Sequence, residues 1–343
     1  MIQNRLPDNI TVDTIINRNI ITQKYKQAIT GVVMMQSTAG GTRNNFKAVL
    51  DYIKSRPKQK VAVVCAADEA VLKSAEIAGS ENILDFIFFD NADKIKKAAD
   101  EYKVDISGIE IIDTTCEREA AALATEAVRG GRAQILMKGH LSTGMFLKAV
   151  LDKQSGLRKS KLLSHIQVFE CPVTGNIKMI SDGGMNLYPG YEEFCHITEN
   201  AVDAFYKICG RIPKTALISA FNRPDPLLKS SVAMAAVRDD LKLFIDGSPA
   251  AISGPITLDA AISPEAAAKN DIKLNFDGPA DILIVPNIET GNLLGKSLLY
   301  FTDSQSAGII CGTSKPVIML SRADNFNTKL NSMALGALLS IFN

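Results

Sequence analysis

The chain has 343 residues, 46% hydrophobic and 22% charged, enough to bury two packed cores and too soluble in pattern for a membrane protein. Its 38 Lys and Arg balance 37 Asp and Glu to a net charge of +1, so no general field draws in nucleic acid or an anionic lipid surface. Any basic site must be local.

The opening residues, MIQNRLPDNITVDTI, have no apolar core behind a basic start and no small-residue cleavage site, so no secretion signal is read and a cytoplasmic protein is expected. Residues 1–45 are irregular and include QSTAGGTRNN, a glycine and polar cluster that suits a loop; they read as an appendage without an assigned role. From residue 60 apolar runs alternate with amphipathic stretches: KVAVVCA, a helix over 68–78, ILDFIFFD, a helix over 91–102, IEIID, a helix over 117–129, then AQILMK. The pattern resumes after residue 160 with SHIQVFE, IKMISD, a helix over 191–209, TALISA, a helix over 226–239, DILIVP, a helix over 292–302, AGIICG and PVIMLS. An apolar helix over 326–342 ends it. Short Val- and Ile-rich strands without polar alternation suit a parallel sheet covered on both faces, so an α/β fold is expected, with ligands at the carboxyl ends of strands.

Six cysteines (Cys65, Cys116, Cys171, Cys195, Cys209 and Cys311) are scattered without a CxxC pair, which fits reduced buried thiols better than disulfides or zinc. Cys195 and His196 adjoin, but consecutive helical residues point apart, so a packed Cys beside a surface His is a better account than a shared metal. No metal ligands are assigned.

Polar residues gather at four strand ends. In LMKGHLSTG, Gly139 allows a tight turn, and Lys138 with the hydroxyls and helix amides at Ser142 and Thr143 makes a phosphate cradle; alternatively, the hydroxyls only cap a helix and Lys138 is solvated. In SDGGMNLYPGYEE, Asp182, Asn186 and Tyr188 either line a cleft or serve a turn. The strand DILIVP presents Asn287, Glu289, Gly291 and Asn292, with Asn292 also a good N-cap. PVIMLS ends in Ser321-Arg322, and the Arg322 fork suits a phosphate, although a carboxylate such as Asp324 would also satisfy it.

LMKGHLSTG, ISDGGMNLYPG, SGPITLDAA, LIVPNIETGN and SRADN, in this order over residues 46–343, resemble the phosphate acetyl/butyryl transferase family, phosphate butyryltransferases more than dedicated acetyltransferases. The resemblance implies two α/β domains with a cleft between them, similar to the isocitrate and isopropylmalate dehydrogenase fold: 46–155 plus 305–343 as one domain and 156–304 as the other. It also implies a homodimer or higher homo-oligomer. The implied reaction is acyl-CoA plus phosphate giving acyl phosphate plus CoA, with CoA as a substrate and no cofactor. Arg322 would bind phosphate and Ser321 would sit by the thioester sulfur. Lys138, Gly139, Ser142 and Thr143 would receive the phosphoryl group, while Asn287 and Asn292 would shape the CoA or acyl side.

In the acetyl branch an aspartate seven residues after the serine is thought to take the thiol proton; here that position is Thr328, too weak a base, which leaves Asp324, Glu289 or a substrate oxygen, or positioning alone. A tyrosine of many relatives is Gly295, which suggests room for a butyryl or branched chain. Phosphate acetyltransferase and a non-catalytic CoA-binding paralogue remain open. A metal-dependent hydroxyacid decarboxylase of the same fold would need clustered aspartates, and the sequence has no such cluster.

Overall fold

The computed structural model describes residues 33–35, 41–321 and 324–342, so Arg322 and most of the 1–45 segment lie outside the described residues. The first elements among the described residues are β1 (Val33–Met35) and α1 (Phe46–Lys54). Helix α1 starts at Asn45, whose side chain accepts from the Ala48 amide, and it buries Phe46, Val49 and Ile53. That i, i+3, i+7 stripe is an amphipathic signal in a stretch, 46–54, to which the sequence reading assigns no element. Just ahead of it, Arg43 is 3% exposed and donates to the Ile208 and Lys207 carbonyls, which ties this segment to the end of a later helix.

The predicted alternation then appears as β2 (Gln59–Val64), α2 (Glu69–Ser80), β3 (Leu84–Asp90), α3 (Ala92–Tyr102), β4 (Glu110–Asp113), α4 (Glu117–Arg129), β5 (Ile135–Lys138) and α5 (Thr143–Val150). Strands β2 and β5 are buried on both faces, which explains their unbroken apolar runs. There follow β6 (Ser164–Glu170), β7 (Ile177–Ser181), α6 (Tyr191–Cys209), β8 (Lys214–Ile218), α7 (Lys229–Asp240), β9 (Leu243–Ile245), β10 (Ser248–Pro249) and β11 (Ala251–Ile256). Next come α8 (Leu258–Ile262), α9 (Pro264–Lys269), β12 (Ile282–Ile284), α10 (Ile288–Phe301), β13 (Ser306–Cys311), β14 (Val317–Ile318) and α11 (Phe326–Ile341).

Among the described residues eleven strands form one sheet in the order β11-β8-β12-β7-β6-β13-β14-β5-β2-β3-β4. The expectation of a parallel sheet holds for its two wings and fails at its centre, where β6 runs antiparallel to both β7 and β13, and β13 antiparallel to β14. Chain length explains this. Residues 171–176 between β6 and β7 are too few for a crossover, and Gly175 at φ +68° supplies the left-handed turn of a hairpin. A small second sheet pairs β9 with β1 in parallel and with β10 antiparallel.

Helix α11 lies across the sheet centre with Met333, Leu335, Leu338 and their neighbours buried. A Cβ at Gly336 would stand 3.1 Å from Ile135 and 3.2 Å from Ile318, so this glycine sets how closely α11 rests on β5 and β14. Just before β12, Asp281, 4% exposed, is held by Arg211 through two bonds of 2.7 and 2.8 Å and by the Lys214 amide, with Lys178 Nζ 3.8 Å away. Removing one partner of such a cluster strands the others, so Asp281→Ala should cost about 3–5 kcal/mol, read as a lower urea midpoint.

Candidate functional site

Strand register brings distant motifs together. Val317 pairs with Leu136 and Ile318 with Met137 in parallel, so the chain leaves β14 and β5 side by side and Leu320-Ser321 arrive next to Lys138-Gly139. Gly139 is required there: a Cβ would stand 2.2 Å from the Cys65 carbonyl oxygen, while its amide and that of His140 donate to Val64 and Cys65. Gly139→Ala should therefore lower stability by about 1–3 kcal/mol or more, because the clashing partner is backbone, and a thermal melt reads the loss.

Lys138 is 6% exposed and donates to the Gly139 carbonyl at 3.1 Å, which overturns the alternative of a solvated lysine. Lys329, at 4% exposure, comes from the first turn of α11 and donates to the Asp324 carbonyl at 2.8 Å. Lys138, Lys329 and Ser321 line one small recess together with Asp68, so two buried lysines outnumber one carboxylate there. Ser142 caps α5 by accepting from the Met145 amide, and Asn325 caps α11 by accepting from Thr328. Both helices begin beside this region, and the positive ends of their dipoles favour an anion there.

A cavity of about 320 Å³ adjoins the recess and shares Ser321 and Leu320 with it. Thr143, Asn292, Ser321 and Asp324, four of the residues singled out from sequence, line it together with Thr328. Apolar wall comes from Leu299, Met319 and Leu320, and Lys296 stands at the same cavity. Ser321 and Asp324 close a turn: the Ser321 amide donates to Asp324 Oδ2 at 2.8 Å and the Asp324 amide to the Ser321 carbonyl at 3.2 Å. Thr328 is buried, its Oγ1 3.4 Å from Ser306 Oγ.

Other expected residues fall elsewhere. Helix α10 starts at residue 288 rather than 292, because Asn287 is its cap and accepts from the Thr290 amide and hydroxyl at 2.9 Å each. Asn292 is thus a cleft residue inside the helix, 3.4 Å from the Gly183 carbonyl. Glu289 is exposed, accepts from the Tyr188 hydroxyl at 3.1 Å and is not part of the cavity lining. Asp182 is buried and accepts from the Gly184 and Met185 amides and from Asn186, which makes the glycine-rich loop a built structure. Gly183 and Gly291 pack backbone to backbone; a Cβ on Gly291 would lie 2.7 Å from the Gly183 Cα. His140 is exposed, as expected for a turn. His196 is half-buried against Glu199 at 3.0 Å instead of standing free at the surface, and Cys116 is exposed where buried thiols were expected.

The room expected at Gly295 is already filled. A Cβ there would stand 1.8 Å from Gln167 Oε1, and the Gln167 amide donates to the Gly295 carbonyl at 3.2 Å. Gln167 and His165, both overlooked in sequence, line the cavity from β6. Their signal was present: SHIQVFE buries Ser164, Ile166 and Val168 and leaves 165 and 167 less buried, two polar residues on one face of a strand inside a sheet. His165 Nδ1 is buried with no hydrogen-bond partner among the described residues. Desolvation holds its pKa below the ordinary 6.5, against the pull of the Asp182 and Asp324 charges.

The family described as phosphate acetyl/butaryl transferase matches residues 114–337. The phosphate butyryltransferase of Clostridium acetobutylicum is 38% identical over 301 residues, covering 86% of this chain and 98% of that protein. The phosphate acetyltransferase of Thermotoga maritima is 33% identical over 282 residues, covering 82% and 95%. Among solved structures, a branched-chain phosphotransacylase from Enterococcus faecalis V583 superposes with a TM-score of 0.72 at 31% identity, covering 82% of this chain and 99% of that one. A 4-hydroxythreonine-4-phosphate dehydrogenase from Burkholderia phymatum, at 11% identity and TM-score 0.51 over 83% and 99%, shares the fold alone.

Proposed function

From the premise that this chain belongs to the phosphate acetyl/butyryl transferase family and is an acyltransferase, we propose that its cleft exchanges a butyryl or similar short acyl group reversibly between CoA and inorganic phosphate. The observation that carries this is the juxtaposition at the ends of β5 and β14: a recess with two buried lysines opens beside Ser321 into a cavity with an apolar wall. The two lysines draw an oxyanion to the end of the cavity that the recess borders, and the apolar wall of that cavity suits an acyl chain. The 38% identity to clostridial phosphate butyryltransferases, against 33% to the Thermotoga maritima acetyltransferase, favours butyryl over acetyl.

Phosphate would be held by Arg322 and Lys138, with Gly139, Ser142 and Thr143 at the head of α5 as further donors. Ser321 would hydrogen bond the CoA sulfur. Asn292 faces the CoA or acyl side, and Asn287 serves that wall indirectly, by fixing where α10 starts. Holding phosphate in line with the thioester carbonyl replaces a bimolecular encounter with an oriented one, and this positioning is the largest contribution we assign to the protein. Asp324, tied into the Ser321 turn, is a positioning residue in this account. The exchange demands neither electron transfer nor a metal, and we propose that it runs with no cofactor.

We take residues 46–155 plus 305–343 and residues 156–304 as the two domains that flank the cleft; the cavity lining draws Thr143, Ser306 and Ser321 from one and His165, Gly183 and Asn292 from the other. No helix among the described residues is long and apolar enough to cross a membrane, and we assign the enzyme to the cytoplasm. A homodimer or larger assembly is supported by α10, which leaves Leu293 and Tyr300 71% and Phe301 84% exposed.

The test is release of free CoA thiol from acetyl-, butyryl- and isobutyryl-CoA, each with and without phosphate. Phosphate-dependent release, fastest with the longer or branched chains, is the expected outcome. Equal release without phosphate would point to a thioesterase.

A further inference from the structure

The acyl exchange moves a proton as well as an acyl group. In the direction that makes acyl-CoA, the CoA sulfur attacks the acyl phosphate carbonyl carbon, the S–C bond forms, and the C–O bond to phosphate breaks with its electron pair leaving on oxygen. The thiol proton ends on the departing phosphate, giving hydrogen phosphate, so the books balance without any further reactant. A thiol is a weak nucleophile until this proton is removed. The family position for the base is Thr328, whose hydroxyl is buried against Ser306 and cannot act as one.

We propose that His165 is the group that carries this proton, taking it from the CoA thiol and returning it to the leaving phosphate. The inference rests on the acyl-transfer reading and deepens it. His165 lines the same cavity as Ser321, the residue assigned to the sulfur. Its main chain is fixed on both sides: its amide donates to Asp182 Oδ2 at 3.0 Å and its carbonyl accepts from the Ser181 hydroxyl at 3.0 Å.

The ring is clamped as well. A Cβ at Gly184 would stand 2.8 Å from the imidazole Cγ, and one at Gly308 3.2 Å from Nε2, so two glycines make the slot in which the ring lies. Nδ1 is enclosed without a partner among the described residues, which leaves Nε2 as the ring nitrogen that opens to the cavity.

The charged groups that face the ring among the described residues are Asp182 after β7 and Asp324 after β14, with Lys296 of α10 on the same cavity. The two carboxylates stabilise the imidazolium once the proton arrives. Burial keeps the ring neutral beforehand, so it is ready to accept at neutral pH.

The test is His165→Gln, with His165→Asn as a second variant should the first not fold, compared with wild type in steady-state CoA-dependent cleavage of butyryl phosphate across pH. Loss of a general base predicts a fall in kcat of about a hundredfold or more, with KM for CoA changed by no more than about threefold. In wild type, kcat/KM should fall on the acid side, below the ordinary histidine range, and this limb should be absent from the variant. A variant that folds, shows the large kcat loss and keeps the acid limb would mean a structural histidine and overturn the inference, as would kcat near wild type. If wild-type thiol release does not depend on phosphate, the acyl-transfer reading falls and takes the inference with it; if the dependence is there and only the variant result disagrees, the inference alone falls.

Discussion

Arg322→Ala lowers kcat/KM for phosphate by about a thousandfold in the thiol-release assay, the largest single effect expected of any substitution here. A guanidinium presents two parallel donors to two phosphate oxygens, and truncating one partner of such a charge-assisted pair costs about 2–5 kcal/mol. Arg322 lies outside the described residues, but Ser321 directly before it lines both the cavity and the lysine recess. Arg322→Lys should recover only part of the loss, because a single ammonium cannot reproduce the fork. Unchanged phosphate-dependent cleavage in Arg322→Ala would remove the phosphate site from the end of β14.

Lys138→Met raises KM for phosphate by about a hundredfold, within the cost of about 2–5 kcal/mol for truncating one partner of a buried, hydrogen-bonded charge pair. Methionine keeps the apolar stem and deletes the charge, so the change tests electrostatics and not packing. Lys138 is 6% exposed beside Ser321, and the ammonium acts in a setting where water screens it little. KM for butyryl-CoA should move far less than KM for phosphate. An equal rise in both would mean that Lys138 braces the whole cleft instead of serving the anion.

Much of the α/β alternation was legible because β2, β3 and β5 are buried on both faces and carry unbroken apolar runs that only a covered sheet requires. The antiparallel centre was not, since SHIQVFE and IKMIS look alike whichever way a strand runs; only the short 171–176 connection betrayed the hairpin. The start of helix α10 is ambiguous in sequence, because both Asn287 and Asn292 are good caps; in the structure the helix begins directly after Asn287.

At the site, LMKGHLSTG and the Ser321 end of PVIMLS were readable as motifs, yet their meeting depends on β14 pairing with β5, a contact between residues some 180 apart that no local pattern encodes. His165 and Lys329 escaped for opposite reasons. His165 sits in an apolar strand whose polar face had no visible partner, and Lys329 in a helix start where a lysine reads as solvated although it is 4% exposed. Gly295 misled in the other direction: a missing side chain suggested space, and Gln167 from β6 occupies it.

The central claim, that phosphate is the acyl acceptor, is tested most directly by phosphorus NMR of the enzyme with butyryl-CoA and inorganic phosphate. An acyl phosphate resonance should grow in step with free CoA thiol and shrink again when excess CoA is added. Free thiol appearing while the inorganic phosphate signal stays undiminished would contradict the account.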